Sequence, residues 1–273
     1  MAKKIGVVPS SSLGDMEKSN FSDIYKVGNN YTKRVLEAGG IPVGVAPVDN
    51  WLPPEALEVY DGYIVQGGAE FYPYHFQIMH DAVVHHKRYL GICLGSQLIY
   101  TYFALRKMVE EQGYEGDLVK AICDLRDRRG ADFSVLEKVE DHRSGAVARG
   151  SEDDAKHDVN VVPGTILHRL VGRDTLRAAS YHYLQVPPAQ DLVTINGWSA
   201  KGDGVVEGCE YGDNLLGVQY HPEVDELLPE IFRLDLLLLV MGIVVASGLV
   251  ICVTSTYFVV NKLVSLKKAE LYY

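Results

Sequence analysis

Short apolar runs that alternate with helical patterns over the first hundred residues constrain the fold most. Lys4–Pro9 (KIGVVP), Ile41–Pro47 (IPVGVAP), Asp61–Gln66 (DGYIVQ) and Tyr89–Cys93 (YLGIC) have the length and β-branched content of buried strands. Between them, Tyr31–Ala38 has helical spacing and stops at Gly39-Gly40. Pro53-Pro54 opens a short helix through Tyr60, Phe76–Lys87 is a third helix, and Leu94 begins a fourth that runs to about Glu111. Strands separated by helices build βαβ units, in which crossover helices bury both faces of a sheet. The pattern predicts an α/β fold with a mostly parallel central sheet and helices on both faces. The second half is richer in strands, at His157–Val162, Leu176–Ser180, Leu192–Ser199, Gly204–Tyr211 and Leu215–Tyr220. Asp124–Asp154, charged and Gly-bearing, is expected to be a surface excursion.

The chain has 273 residues, 47% of them hydrophobic and 23% charged, enough to build a substantial core. Its net charge of −10, with no basic run interleaved with aromatics, argues against a nucleic-acid partner. The four cysteines, Cys93, Cys123, Cys209 and Cys252, show no CxxC spacing, so no structural metal site is expected. The N-terminal MAKKIGVVPSSS has no apolar signal core, and free thiols suit a reducing compartment, so the catalytic part is expected to be cytoplasmic.

From Leu236 to Val260 the chain carries no Asp, Glu, Lys or Arg. A helix of that length spans roughly 37 Å, enough for a ~30 Å hydrocarbon core. The expected division is therefore a domain over 1–233 and an apolar C-terminal segment over 234–273, with a transmembrane helix at 236–260 and a short basic tail. A buried closing helix is the alternative. Lys262, Lys267 and Lys268 after the segment would place the tail in the cytosol, whereas the need for a free thiol places the domain there.

Gly91-Ile-Cys93-Leu-Gly95-Ser-Gln97 carries the strongest chemical signal. A strand enters, a reactive side chain sits at its end, and a helix leaves. Gly91 and Gly95 flank Cys93 as the glycines of G-x-S-x-G flank a hydrolase serine, and the helix N-terminus favours thiolate at the sulfur. Core burial is the expectation for Cys123, Cys209 and Cys252. In Gly217-Val-Gln-Tyr-His221-Pro-Glu223 a strand ends in a histidine with a carboxylate two residues on, which supplies a base and its orienting acceptor. Gln66-Gly67-Gly68 exposes backbone N–H groups that can receive an oxyanion, although an ordinary turn has the same sequence.

Together these stretches resemble the class I glutamine amidotransferase family, and within it the γ-glutamyl hydrolase branch, peptidase family C26, over roughly residues 4–233. LEAGGIPVGVAP, the His157–Leu167 stretch (HDVNVVPGTIL) and Ser180-Tyr-His182-Tyr-Leu-Gln185 add lesser matches. The resemblance implies a flavodoxin-like fold. It also implies that Cys93 forms a γ-glutamyl thioester, His221 is general base and acid, and Glu223 orients His221. The N–H groups of Gly68 and Leu94 would form the oxyanion hole, and Gln97, His182 and Gly67 would face the substrate, a small γ-glutamyl compound. No cofactor is needed. Gln66 departs from the family's usual Pro, and a long helix replaces the usual Asn and Gly-Gly after Gln97. Three functions fit: a stand-alone hydrolase of γ-glutamyl amides, a glutaminase subunit feeding ammonia to a separate synthetase, or a non-catalytic membrane-tethered module. Oligomeric state is not legible.

Overall fold

Glycines decide how closely the central helix approaches the central sheet. A Cβ on Gly91 would lie 2.2 Å from the Gly95 carbonyl oxygen, one on Gly95 would lie 2.3 Å from the Val65 carbonyl oxygen, and one on Gly217 would meet Ser96 Oγ at 2.6 Å. The three residues let the first turn of that helix rest directly on the strands, a contact no larger residue permits.

The computed structural model describes residues 2–11, 24–129, 135–140, 142, 156–224 and 231. In chain order the elements are β1 (Lys4–Val8), β2 (Ser10–Ser11), β3 (Tyr25–Lys26), α1 (Asn29–Glu37), β4 (Ile41–Gly44), α2 (Pro54–Leu57), β5 (Gly62–Val65), α3 (Pro73–Val84), β6 (Arg88–Ile92), α4 (Leu94–Glu111) and α5 (Leu118–Arg128). They continue with β7 (Glu137–Lys138), β8 (Lys156–Val161), α6 (Ile166–Val171), β9 (Thr175–Ala179), β10 (Leu184–Gln185), β11 (Thr194–Ser199), β12 (Val206–Tyr211) and β13 (Leu215–Val218), followed by a 3-10 turn at Pro222–Val224.

Nine strands form one sheet in the order β4-β1-β5-β6-β13-β12-β11-β8-β9. The half from β4 to β13 is parallel, and from β13 to β9 every pairing is antiparallel. The sheet is thus mixed, which corrects the expectation of a mostly parallel one. Connection length explains much of the difference. Only Gly212, Asp213 and Asn214 join β12 to β13, and so short a link closes an antiparallel hairpin, whereas a parallel pair needs a crossover of a dozen residues or more.

The register aligns Tyr63, Tyr89 and Leu215 in one row and Val65, Gly91 and Gly217 in the next, on the face that α4 covers. Leu98, Ile99, Tyr102, Phe103, Leu105 and Val109 of α4 are buried in that core, together with Phe76, Ile78 and Met79 of α3 and Ile122 and Leu125 of α5. Burying one such side chain stabilises a fold by roughly 1.5–3 kcal/mol. On the opposite face Val35 of α1 lies near Ile5, because a Cβ on Gly40 would meet both. There also the Glu210 carboxylate accepts from the Ile166 and Leu167 N–H groups at the start of α6.

Helix α3 starts at Pro73, a turn earlier than expected, because proline fits the first helical position. Asp124–Arg128, expected in a surface excursion, are the last turns of α5, which Asp117 caps by accepting from Lys120 N–H. The described residues, the last of them Ile231, fall within one compact unit. The span expected at 236–260 lies outside the described residues. Among the described residues, no helix is long and apolar enough to cross a membrane.

Candidate active site

Strand β6 delivers Cys93 to the C-terminal edge of the parallel half, where the backbone must turn at once into α4. Cys93 takes a left-handed conformation, φ 53° and ψ −104°. Such a conformation costs a non-glycine residue on the order of 1–3 kcal/mol and persists only where the surroundings impose it. Here the Cys93 N–H is fixed to the Val218 carbonyl on β13, while its own carbonyl accepts from Ser96 and Gln97 of α4. The sulfur therefore stands off the sheet, 3.9 Å from the Tyr181 carbonyl oxygen.

Strand β13, beside β6, ends at Val218, and the chain then presents His221. Its imidazole lines the same cavity as the Cys93 thiol, and both lie against Gly67, where an added Cβ would be 3.0 Å from His221 Cε1 and 3.5 Å from Cys93 Cβ. Its Nδ1 lies 2.7 Å from Glu223 Oε1, which leaves Nε2 for the sulfur. The Pro222–Val224 turn brings that carboxylate back onto the ring within two residues. Burial alone would lower the His221 pKa, but the neighbouring Cys93 and the hydrogen bond to Glu223 outweigh it and push it up to about 10. Burial pushes the Cys123 and Cys209 thiols up to about 12 each.

The raised His221 pKa has a consequence for stability. Its folded value of about 10 exceeds the unfolded value of roughly 6.5, so its contribution is complete below about pH 6.5 and is lost as pH rises through about 10. Urea unfolding of wild type and His221→Asn at several pH values should show the wild-type advantage shrinking toward high pH. An advantage that grew with pH would contradict the assignment.

Tyr31, on the first turn of α1, is the member of the site that the sequence did not reveal. Its hydroxyl donates to Glu223 Oε1 at 2.7 Å and accepts from the Gly67 N–H at 3.3 Å. Burial and the adjacent carboxylate push its pKa well above the usual tyrosine range, which keeps it a donor. Gln66 explains how Tyr31 is positioned. Its buried side chain accepts from Gly28 N–H at 3.0 Å and donates to the Lys26 carbonyl, pinning the residues that lead into α1. Removing a hydrogen bond to a charged group costs about 1.5–3 kcal/mol. If Tyr31 orients Glu223, Tyr31→Phe should lower kcat/KM about 10–100-fold in steady-state assays. An unchanged rate would make the contact incidental.

A cavity of about 260 Å³ opens over the sulfur, lined by Tyr31, Gly67, Gly68, Cys93, Leu94, Gln97, His182 and His221 among others. All eight residues expected at the site are thus brought together, with Glu223 just behind His221. They are not equally available to a ligand. Gln97 Nε2 donates to the Leu184 carbonyl at 3.0 Å and to Gln219 Oε1 at 3.1 Å, so both its amide hydrogens are committed. The His182 ring faces the Leu184 carbonyl at 3.0 Å and Glu207 at 3.4 Å. The Leu94 side chain lies against Gly68, since a Cβ on Gly68 would be 2.9 Å from Leu94 Cδ2. A second, larger hollow between the end of α4 and α5 contains none of these residues.

Residues 21–228 match the family described as Glutamine amidotransferase class-I. The chain belongs to that family. A glutamine amidotransferase-like protein of Rickettsia prowazekii is 25% identical over 259 residues, covering 80% of this chain and 90% of that protein. CTP synthase of Thermus thermophilus is 29% identical over 151 residues, 50% of this chain but only 25% of the synthase. The glutaminase domain of Trypanosoma brucei CTP synthase, solved with bound acivicin, shares the fold with a TM-score of 0.54 at 17% identity, covering 85% of this chain and 91% of that one. The amidotransferase fold therefore extends over most of the chain, and the cavity over Cys93 lies at the C-terminal strand edge, where open α/β sheets bind ligands.

Proposed function

We propose that this amidotransferase domain hydrolyses γ-glutamyl amide bonds, with Cys93 as nucleophile, His221 as general base and acid, and Glu223 as the group that orients His221. The observation that carries the reading is the Cys93 thiol and the His221 imidazole on the wall of one small cavity, with the imidazole hydrogen-bonded to Glu223 behind it. The Cys93 sulfur attacks the γ-carbonyl carbon with its proton already held by His221, whose raised pKa keeps the ring protonated. The oxyanion faces the Gly68 and Leu94 N–H groups, the latter in the first turn of a helix, where N–H groups lack intrahelical partners. His221 then protonates the departing amine as the C–N bond breaks, leaving a γ-glutamyl thioester. Water, deprotonated by His221, releases glutamate and restores the thiol.

The first reading is a hydrolase that acts by itself, in the manner of the γ-glutamyl hydrolase branch that the motifs around Cys93 and His221 resemble. The likeness to one quarter of a CTP synthase supports a second reading, a glutaminase that supplies ammonia to a separate synthetase. A hydrolysis panel of γ-glutamyl compounds, glutamine included, separates the two. The isolated chain is expected to release glutamate from γ-glutamyl amides. Glutamine hydrolysis that appears only with a partner protein would favour the second reading. No glutamate release under either condition would overturn both.

A further inference from the structure

Beside the cavity, and sharing His182 with its wall, three imidazoles converge on one carboxylate oxygen. Glu207 of β12 is fully buried, and its Oε1 lies 3.1 Å from His142 Nδ1, 3.4 Å from His182 Nε2 and 3.0 Å from His157 Nε2. The outer nitrogen of each ring already faces an acceptor. His142 Nε2 is 2.9 Å from Asp203 Oδ2, His182 Nδ1 is 3.0 Å from the Leu184 carbonyl, and His157 Nδ1 is 3.0 Å from the Asp158 carbonyl. A carboxylate or carbonyl accepts and does not donate, so in a neutral ring the proton belongs on that outer nitrogen. The inner nitrogens then turn lone pairs toward a carboxylate that also has only lone pairs. The contact is repulsive unless a cation lies among them.

Protons alone fit this geometry poorly. His142 Nδ1 and His157 Nε2 are buried and make no hydrogen bond of good geometry, despite their closeness to Glu207. Protonating His142 and His182 together would set two imidazolium rings 5.0 Å apart, centroid to centroid, in a buried site. A metal ion resolves the conflict. The reactive nitrogens of His142 and His182 and a Glu207 oxygen all lie within 4.8 Å of one another. The nitrogen-to-oxygen separations of 3.1 and 3.4 Å bracket the roughly 3.3 Å edge of a tetrahedron with bonds of about 2.0–2.1 Å. The outer contacts to Asp203 and to the Leu184 carbonyl are those by which metal-binding histidines are held in one tautomer.

We propose that His142 Nδ1, His182 Nε2 and Glu207 bind one divalent transition-metal ion of the Zn²⁺ class, with Asp203 as the outer partner of His142. An imidazole, imidazole and carboxylate set suits such an ion and not a hard cation like Mg²⁺. The ion has a positioning role. It ties β12 to the segment that carries Tyr181, whose carbonyl faces the Cys93 sulfur, and it takes no part in the thiol chemistry.

The test measures metal content. Untagged full-length protein is stripped with a chelator, dialysed against Zn²⁺ and then metal-free buffer, and assayed by atomic emission. Cys93→Ala is run in parallel, so that the active-site thiol cannot be the ligand. Both proteins are expected to retain one ion per chain, and Co²⁺ in its place should give the visible absorption of a tetrahedral site. Glu207→Gln and His142→Ala should lose the ion. Asp203→Asn, at a partly exposed position, should weaken binding about 10–100-fold while the circular dichroism stays native. Folded wild-type protein that retains no ion, or retention that Glu207→Gln and Asp203→Asn leave unchanged, would overturn the proposal and assign the cluster to shared protons.

Discussion

Cys93→Ala is expected to reduce glutamate release by on the order of 10⁶-fold, the scale on which removing a relay nucleophile disables a hydrolase. The fold should survive, because alanine inherits the same left-handed backbone, which is imposed by the Val218 carbonyl on one side and by Ser96 and Gln97 on the other. The variant should therefore match wild type in circular dichroism and thermal melting while failing in the hydrolysis assay. Cys209 sits two strands away on β12, buried against Ser96 of α4, with its thiol 3.5 Å from the Ser96 carbonyl oxygen. Cys209→Ala should retain activity, which separates loss of the nucleophile from disturbance of the α4–sheet contact. Residual activity in Cys93→Ala near the wild-type level would remove the thiol from the mechanism.

Gly91→Ala is expected to produce the largest loss of stability, about 3 kcal/mol or more. The added methyl group would meet three backbone atoms, the Gly95 oxygen at 2.2 Å, the Gly95 carbon at 2.3 Å and the Ser96 nitrogen at 2.7 Å, none of which can rotate away. The helix would have to lift off β6, taking with it the turn that holds Cys93. Differential scanning calorimetry should show a fall in Tm of roughly 6–12 °C for a domain of this size. Gly164→Ala is the comparison. It has φ of +83° and open space around the new methyl group, so only backbone strain of about 1 kcal/mol is expected. Equal losses at the two positions would mean that α4 does not rest on the sheet through Gly91.

These two positions were legible in the sequence because the motif is local. Gly91, Cys93 and Gly95 lie within five residues, and their chemistry follows from one turn. The buried strands were legible for a similar reason, since β5 and β6 are apolar at almost every position. Strand direction in the second half was not, because apolar content reports burial and is silent about orientation. Helix α5 was obscured by Asp124, Arg126, Asp127 and Arg128, although Val119, Ile122, Cys123 and Leu125 form a buried stripe. Tyr31 was hidden for a different reason. It has the spacing of any core-facing aromatic on α1, and only the fold brings it to a carboxylate 192 residues away. The histidine cluster around Glu207 has no metal-ligand spacing either. His142, His157, His182 and Glu207 come from separate segments, and so the sequence pointed to no metal.

The central claim is that His221 activates the Cys93 sulfur, and alkylation kinetics test it most directly. Full-length protein is treated with iodoacetamide at neutral pH, and labelling at each cysteine is followed by peptide mass spectrometry in wild type, in His221→Asn and in the unfolded chain. Cys93 is expected to react much faster in the folded wild type than in the unfolded chain, to slow when His221 is replaced, and to outpace Cys123 and Cys209 in both folded proteins. A Cys93 that reacts no faster than in the unfolded chain, at a rate His221→Asn leaves unchanged, would contradict the account.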